Sequence, residues 1–291
     1  MTRQQRAILY GLGAVLLWST VATAFKLSLR FFNPIELLLY SGFFSMLLLG
    51  GVLRYQDKFY LIFKCSRQEY FLSIFLGLLS PFLYYLILFK AYDLLPAQQA
   101  QPLNYTWAIT LSLLAVPFLK QKISWPQWLA LVISYCGVIV ISTEGRLLSL
   151  KFTDPLGVIL VLVSTIIWAL YWIFNTRDRR DPVVGLFVNL LCSFPFILGY
   201  YFWTTELKLP PIRGLIGAVY IGFIEMGVCF IFWLIAMKLT DNTARISNLV
   251  FLSPFLSLVF IHFLVGEKIL FSTFIGLILI ILGLCCQKIK S

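Results

Sequence analysis

Glu225 is the side chain best placed to do chemistry in this chain, because of its surroundings. It lies 13 residues into an apolar run that begins at Ile212. A charged group inside hydrocarbon costs about 2.5 to 3.5 kcal/mol on insertion scales, so an acid kept there is a functional candidate by default. Burial disfavours its ionised form, which suits a proton carrier or a partner for a substrate ammonium. The alternative is a protonated or hydrogen-bonded Glu that ties helices together. Gly217, Gly222 and Gly227 leave this segment thin on one side.

A second constellation is made of amides. Gln101, Asn104 and Ala108 fall at i, i+3 and i+7, and Gln98, Gln101 and Tyr105 share a face in the same way. Amides on a spanning helix either line a polar cavity or hydrogen-bond to neighbouring helices. Three on one face favour the cavity. Aromatic rings form the third group: Trp18, Tyr84, Tyr85, Trp107, Trp168, Tyr171, Trp172 and Tyr220 lie well inside apolar runs. There they could stack on a planar ligand and offer a hydroxyl or an indole N–H. Packing is the bland reading of each ring singly. The expected substrate-binding set is Trp18, Tyr84, Gln101, Asn104, Trp107, Trp168, Tyr171, Tyr220, Glu225 and Asn248.

Other chemistry finds little material. His262 is the single histidine, and the six cysteines form no C-x-x-C pair. No G-x-G-x-x-G, P-loop or H-E-x-x-H stretch occurs. No catalytic centre, metal site or cofactor is expected, and the chain is read as a non-enzyme.

The elements that must position these residues follow from composition. Of 291 residues, 60% are hydrophobic and only 12% charged, whereas soluble domains carry about 25% charged residues. The fold class is therefore an all-α integral membrane protein. Continuous apolar runs, ended by charge clusters, Pro or Gly, give ten transmembrane helices: 7–25, 34–53, 70–89, 96–119, 126–143, 155–175, 183–203, 212–237, 244–265 and 269–286. Pro34, Pro96, Pro126 and Pro155 each suit a first helical turn.

Lys and Arg are retained on the cytoplasmic side. With both termini cytoplasmic, 15 of the 23 basic residues fall inside. The net charge of +11 is then mostly a topology signal, and no nucleic acid is expected as a partner. Lys238, Arg245, Arg177, Arg179 and Arg180 read as anchors, and Glu36, two residues after Pro34, as a helix-dipole carboxylate. Arg3, Arg6 and the run up to Ala24 also have the form of a cleavable signal peptide.

Against cleavage stands an internal repeat. Leu119-Lys-Gln-Lys-Ile123 precedes Val265-Gly-Glu-Lys-Ile269 by 146 residues, and Gly137 precedes Gly283 by the same distance. Trp18 finds its counterpart in Trp168, and Pro34 in Pro182. Residues 1–291 then form a single transmembrane domain of two inverted five-helix repeats, 7–143 and 155–286, because five is odd. Such inverted halves commonly place a substrate site between them, near the bilayer midplane. Arg245 and Asn248 are the counterpart of the amide face.

Ten spans in two halves, a Trp in the first helix of each, Pro254 in the ninth and the Val265-Gly-Glu-Lys-Ile269 stretch with Gly283 resemble the EamA branch of the drug/metabolite transporter superfamily. Asn104-Tyr-Thr-Trp-Ala108 is similar to an Asn-Tyr-Leu-Trp-Pro segment in relatives that export aromatic amino acids. Ala108 stands where the family often has Pro, which puts a kink of the fourth helix in doubt, and Gln121 stands where the second half has Glu267. The resemblance implies a secondary transporter of small organic metabolites in a bacterial inner (plasma) membrane. Aromatic or other neutral amino acids come first as cargo, then purines, other metabolites or cationic drugs, with protons as a candidate coupling ion. A passive channel or a lipid-flippase subunit is the alternative of another class. The unit would work as a monomer or a homodimer.

Overall fold

The computed structural model describes residues 1–119, 125–146, 153–175, 178–206, 209–239, 249–250 and 252–286. The described residues are helical, with no strand among them. The helices are α1 (Arg3–Ser28), α2 (Pro34–Tyr55), α3 (Arg67–Leu94), α4 (Ala97–Asn104), α5 (Trp107–Leu119), α6 (Trp125–Ser142), α7 (Pro155–Asn175), α8 (Pro182–Thr204), α9 (Ile212–Ala236), α10 (Leu252–Val265) and α11 (Phe271–Cys286). Six of them, α1, α2, α3, α7, α8 and α9, are long and apolar enough to cross a membrane. Leu16, Phe43, Phe71, Ile159 and Val259 are exposed on the outside. So large an apolar surface suits hydrocarbon as its solvent.

Start signals in the sequence act as their chemistry requires. Pro34 and Pro182 each open a helix behind an Asn33 or Asp181 cap. Glu36 joins Asn33 in a capping box, each side chain accepting from the other's backbone N–H at 2.9 Å. The expected role in the first turn thus becomes a specific pair of bonds. Asp181 accepts from Val183 N at 3.0 Å and forms an ion pair of 2.7 Å with Lys58. Burial opposes its charge, yet the Lys58 ammonium and these N–H groups hold the carboxyl below the usual carboxylate range. Pro96 departs slightly from expectation, being the cap before α4, and Pro126 lies in α6 beside residues outside those described.

Two of the expected spans are interrupted. In α3 the backbone is extended at Ser80 (φ −150°, ψ 125°), ahead of a cis bond to Pro81. The expected fourth span is two helices, α4 and α5, parted at Tyr105–Thr106, three residues after Pro102. The irregularity in the fourth span therefore exists without a Pro at position 108. Thr106 caps the new start, its carbonyl accepting from Ile109 and Thr110.

Packing follows one pattern in both parts of the chain. Helix α1 packs on α9 and α10, as α7 packs on α3 and α5. Helix α2 pairs with α8, and α6 with α11. In the last pair a Cβ on Gly137 would stand 2.5 Å from the Gly276 carbonyl, and one on Gly276 would stand 2.7 Å from the Gly137 carbonyl. Small residues at such crossings let backbones touch, which drives association where water cannot.

At the end where α3 leads into α4, the helices are tied across the chain. Lys26 donates to the carbonyls of Tyr92 and Leu95 at 2.7 and 2.8 Å. Glu267 accepts from Ala97 N and Gln98 N at 2.8 and 3.0 Å, neutralising the positive end of α4. Gln98 in turn accepts from Leu270 N (2.8 Å) and Thr273 Oγ1 (3.2 Å) and donates to Lys268 O (2.8 Å). The expectation that Gln98 faces a cavity is corrected: its amide is spent on helix-to-helix bonds.

Candidate functional site

Helical periodicity brings six helices to one place. Trp18 and Phe25 project from α1 at i and i+7, Tyr84, Leu88 and Tyr92 from the second part of α3 at i, i+4 and i+8, and Trp168 and Trp172 from α7 at i and i+4. Gln101 and Asn104 come from α4, and Trp107 opens α5. Glu225 and Trp233 come from α9. Together they surround about 570 Å³ of empty space, counted with its mouth. A mostly aromatic lining with a few polar fixtures is the usual composition of a small-molecule site.

Glu225 enters through an unusual stretch of α9, Ile221–Cys229, wound with the wider π-helical turn. Such turns occur often at functional sites. The opposite side of this stretch presses on α2: a Cβ on Gly222 would lie 2.3 Å from the Ser41 carbonyl. Ser45 of α2 donates to the Met226 carbonyl at 2.9 Å, satisfying a group in the irregular turn. The glycines thus allow close approach, and the carboxyl is directed to the cavity side.

The carboxyl is buried, and Tyr85 donates to its Oε1 at 3.0 Å. The Trp18 indole approaches the same group, but Oε2 completes no hydrogen bond of good geometry. Trp172 Nε1, buried in the lining, is also without a partner. The amides are partly engaged. Asn104 accepts from Tyr84 Oη (3.4 Å) and donates to Ser164 Oγ (3.3 Å), and Gln101 accepts from the Tyr92 hydroxyl. Among the described residues, Glu225 is the one charged group of the lining.

The rings are stacked before any ligand arrives. Tyr84 lies on Trp168 with centroids 4.4 Å apart and planes 22° from parallel, and Trp168 continues onto Tyr171 at 5.5 Å. Trp18 leans on Trp233 at 5.2 Å. These contacts hold aromatic faces and edges in fixed positions, each pair adding about 0.5 to 1.5 kcal/mol beyond its burial.

Seven of the expected residues border this cavity: Trp18, Tyr84, Gln101, Asn104, Trp107, Trp168 and Glu225. Two stand elsewhere. Tyr171 supports Trp168 from behind and borders a second cavity. Tyr220 shares a hydrogen bond of 2.5 Å with Thr20 of α1, so its hydroxyl joins helices rather than facing the space. Asn248, with Arg245, lies outside the described residues, as does Gln121. Tyr92 and Trp233 are lining residues missing from the expected set. Tyr92 was legible in its eight-residue spacing from Tyr84, while Trp233, one of many rings in an apolar run, gave no separate signal.

An apolar helical bundle with interrupted helices and an aromatic cavity holding one acid is the architecture of a membrane transporter. The EamA-like transporter family model matches residues 5–143 and again 155–286, and the chain belongs to that family. It is 23% identical to the aromatic amino acid exporter YddG of Salmonella typhimurium over 291 residues, covering 96% of this chain and 95% of that protein. An uncharacterized transporter of Archaeoglobus fulgidus is 23% identical over 93% of this chain and 94% of its own length. One of Clostridium kluyveri is 25% identical over 62% of this chain, which spans 63% of that relative's length. A solved crystal structure shares the fold, with a TM-score of 0.70 at 20% identity over 97% of this chain and 96% of that one.

Proposed function

We propose that this chain is a secondary carrier that exports small organic metabolites across a bacterial inner membrane, aromatic amino acids foremost. Two inverted five-helix halves, 7–143 and 155–286, would rock about the cavity in alternating access, with both termini cytoplasmic. The paired packing of α1 with α9 and α3 with α7 supports this reading, since a two-fold relation would exchange those pairs.

One observation carries the proposal. Glu225 Oε2 and Trp172 Nε1 are a buried acceptor and a buried donor without partners, and both belong to a lining of stacked rings. A buried polar group left unpaired costs roughly 1 to 3 kcal/mol. A flat ligand with an ammonium and a carboxylate relieves both costs, the ammonium at Glu225 and the carboxylate at the Trp172 N–H, while its ring lies among Trp18, Tyr84 and Trp168. Family membership and the name of the Salmonella relative point the same way.

A second reading is an organic cation without a carboxylate, favoured because no Lys, Arg or His occurs among the described lining residues. Counterflow in proteoliposomes separates the two. Labelled phenylalanine exchanging against unlabelled phenylalanine, with phenethylamine at least tenfold weaker and 3-phenylpropionate inert, is the expected result. Phenethylamine as the stronger competitor selects the cation reading. Equal competition by 3-phenylpropionate removes Glu225 as the amine partner, and flux that does not saturate points to a channel.

A further inference from the structure

Behind Glu225 lies a second cavity that the substrate site does not use. It is bordered by Ser45, Ser80, Tyr85, Tyr171, Asn189 and apolar groups that include Leu186 and Met226. We propose that this space is a hydrated proton path that serves Glu225 from the face opposite the substrate. The proposal rests on the reading of Glu225 as a group that binds and releases a proton.

Tyr85 is the wall between the two spaces. It borders the second cavity, and its hydroxyl donates across to Glu225 Oε1, which borders the first. Polar groups crowd the second cavity beyond what packing explains. Five of its side chains carry an N–H or O–H: Ser45, Ser80, Tyr85, Tyr171 and Asn189. Asn189 is 1% exposed, and its Nδ2 completes no hydrogen bond, with the Tyr171 hydroxyl beside it. An apolar cavity stays dry, whereas one that offers two to four polar partners holds water.

The chain of polar groups continues to an end of the bundle. Asn189 Oδ1 accepts from Ser73 Oγ at 2.7 Å and from Arg180 Nη2 at 3.4 Å. Arg180 clasps Asp178 through two nitrogens, at 2.6 to 3.0 Å, in the loop before α8, where both side chains are buried. The groups facing Glu225 that can exchange protons are Tyr84, Tyr85 and Tyr92 of α3, Tyr105 between α4 and α5, and Cys229 of α9 itself. Of these, Tyr85 also reaches the second cavity.

The step balances without a co-reactant. The Tyr85 O–H bond breaks as its proton passes to the Glu225 carboxylate, while Tyr85 Oη takes a proton from a hydronium in the second cavity. The tyrosine is unchanged, the hydronium becomes water and Glu225 is protonated. Release runs the same bonds in reverse. Substrate and proton thus reach one carboxyl by different doors, and a substrate filling the aromatic cavity does not block the proton.

The test compares two rates in proteoliposomes holding the full chain: uptake of labelled phenylalanine driven by an imposed pH gradient, and phenylalanine counterflow at equal pH. The ratio of the first to the second is the readout. Tyr85→Phe keeps the ring and removes the relay, and the ratio is expected to fall at least tenfold. Leu186→Phe fills the second cavity from an apolar wall without touching Glu225, and is expected to lower the ratio about as much. A ratio within twofold of the wild type in both variants, with pH-driven uptake lost in Glu225→Gln, overturns the path and leaves the role of Glu225 standing. A wild type that a pH gradient does not drive overturns both. Drive by a sodium gradient in its place assigns the second cavity to a cation and likewise overturns the path.

Discussion

Two clusters of polar side chains, one in the aromatic cavity and one where α3 turns into α4, use the same residue types for opposite ends. Each contains one Glu and at least one Gln. At the turn the acid and the amide facing it are satisfied: Glu267 holds two backbone N–H groups, and Gln98 serves a backbone N–H, a hydroxyl and a carbonyl, although the neighbouring Gln99 leaves its Oε1 open. In the cavity Glu225 Oε2 and Trp172 Nε1 are left open. The difference teaches where to look for a site in a membrane protein. Glu267 and Gln98, satisfied by backbone groups, hold the fold, whereas Glu225 keeps one oxygen open in the lining of the cavity.

The comparison breaks first at Glu225. A hydrogen bond to a charged group contributes about 1.5 to 3 kcal/mol, so Glu225→Gln is expected to weaken binding of an amine-bearing substrate by roughly 10- to 100-fold. The melting temperature of the unliganded protein should hold or rise, because the variant removes a buried ionisable group with an open oxygen. Titration of phenylalanine against the melting temperature reads both quantities. Affinity within threefold of the wild type would place Glu225 with the scaffold.

Gln98→Leu should behave in the opposite way. It strips the Leu270 N–H of its acceptor, a loss of about 1 to 3 kcal/mol, so the melting temperature should fall by several degrees while phenylalanine affinity is unchanged. Glu267→Gln is milder. The amide keeps a carbonyl for one of the two N–H groups, and the charge lost from the start of α4 contributes about 0.3 to 1 kcal/mol. A fall in melting temperature smaller than that of Gln98→Leu is expected, and a larger one would show that charge rather than bond geometry holds this turn.

The sequence made the spans legible and left their interruptions hidden, for one physical reason. A helix end in a membrane protein is marked by Pro34, Asp181 or a charge cluster, since backbone must leave hydrocarbon there. The break at Ser80 lies within an apolar run and the one at Tyr105 just after the amide-bearing stretch Gln98–Asn104, and neither Pro81 nor Pro102 marks a place where backbone leaves hydrocarbon. Gln98 and Gln101 could not be told apart by type or spacing. Their fates depend on Leu270, Thr273 and Tyr92, which neighbour them only once the chain is folded. Glu225 was legible because a lone acid in an apolar run has so few alternatives.

Tyr220 offers the smallest and sharpest test of the distinction between scaffold and site. It is an aromatic residue with a hydroxyl, deep in a span, and so looks like a binding residue. Yet its partner is Thr20 of α1, at 2.5 Å, and it does not border the cavity. Interhelical hydrogen bonds in membranes average about 0.6 kcal/mol. Tyr220→Phe should therefore lower the melting temperature by no more than a degree or two and leave phenylalanine counterflow within twofold of the wild type. Tyr84→Phe makes the same chemical change inside the cavity and frees the Asn104 carbonyl, so it is expected to alter phenylalanine affinity more than Tyr220→Phe does. If Tyr220→Phe proved the more damaging to transport, membership of the cavity would not be what separates site from scaffold, and the α1–α9 contact would itself belong to the transport cycle.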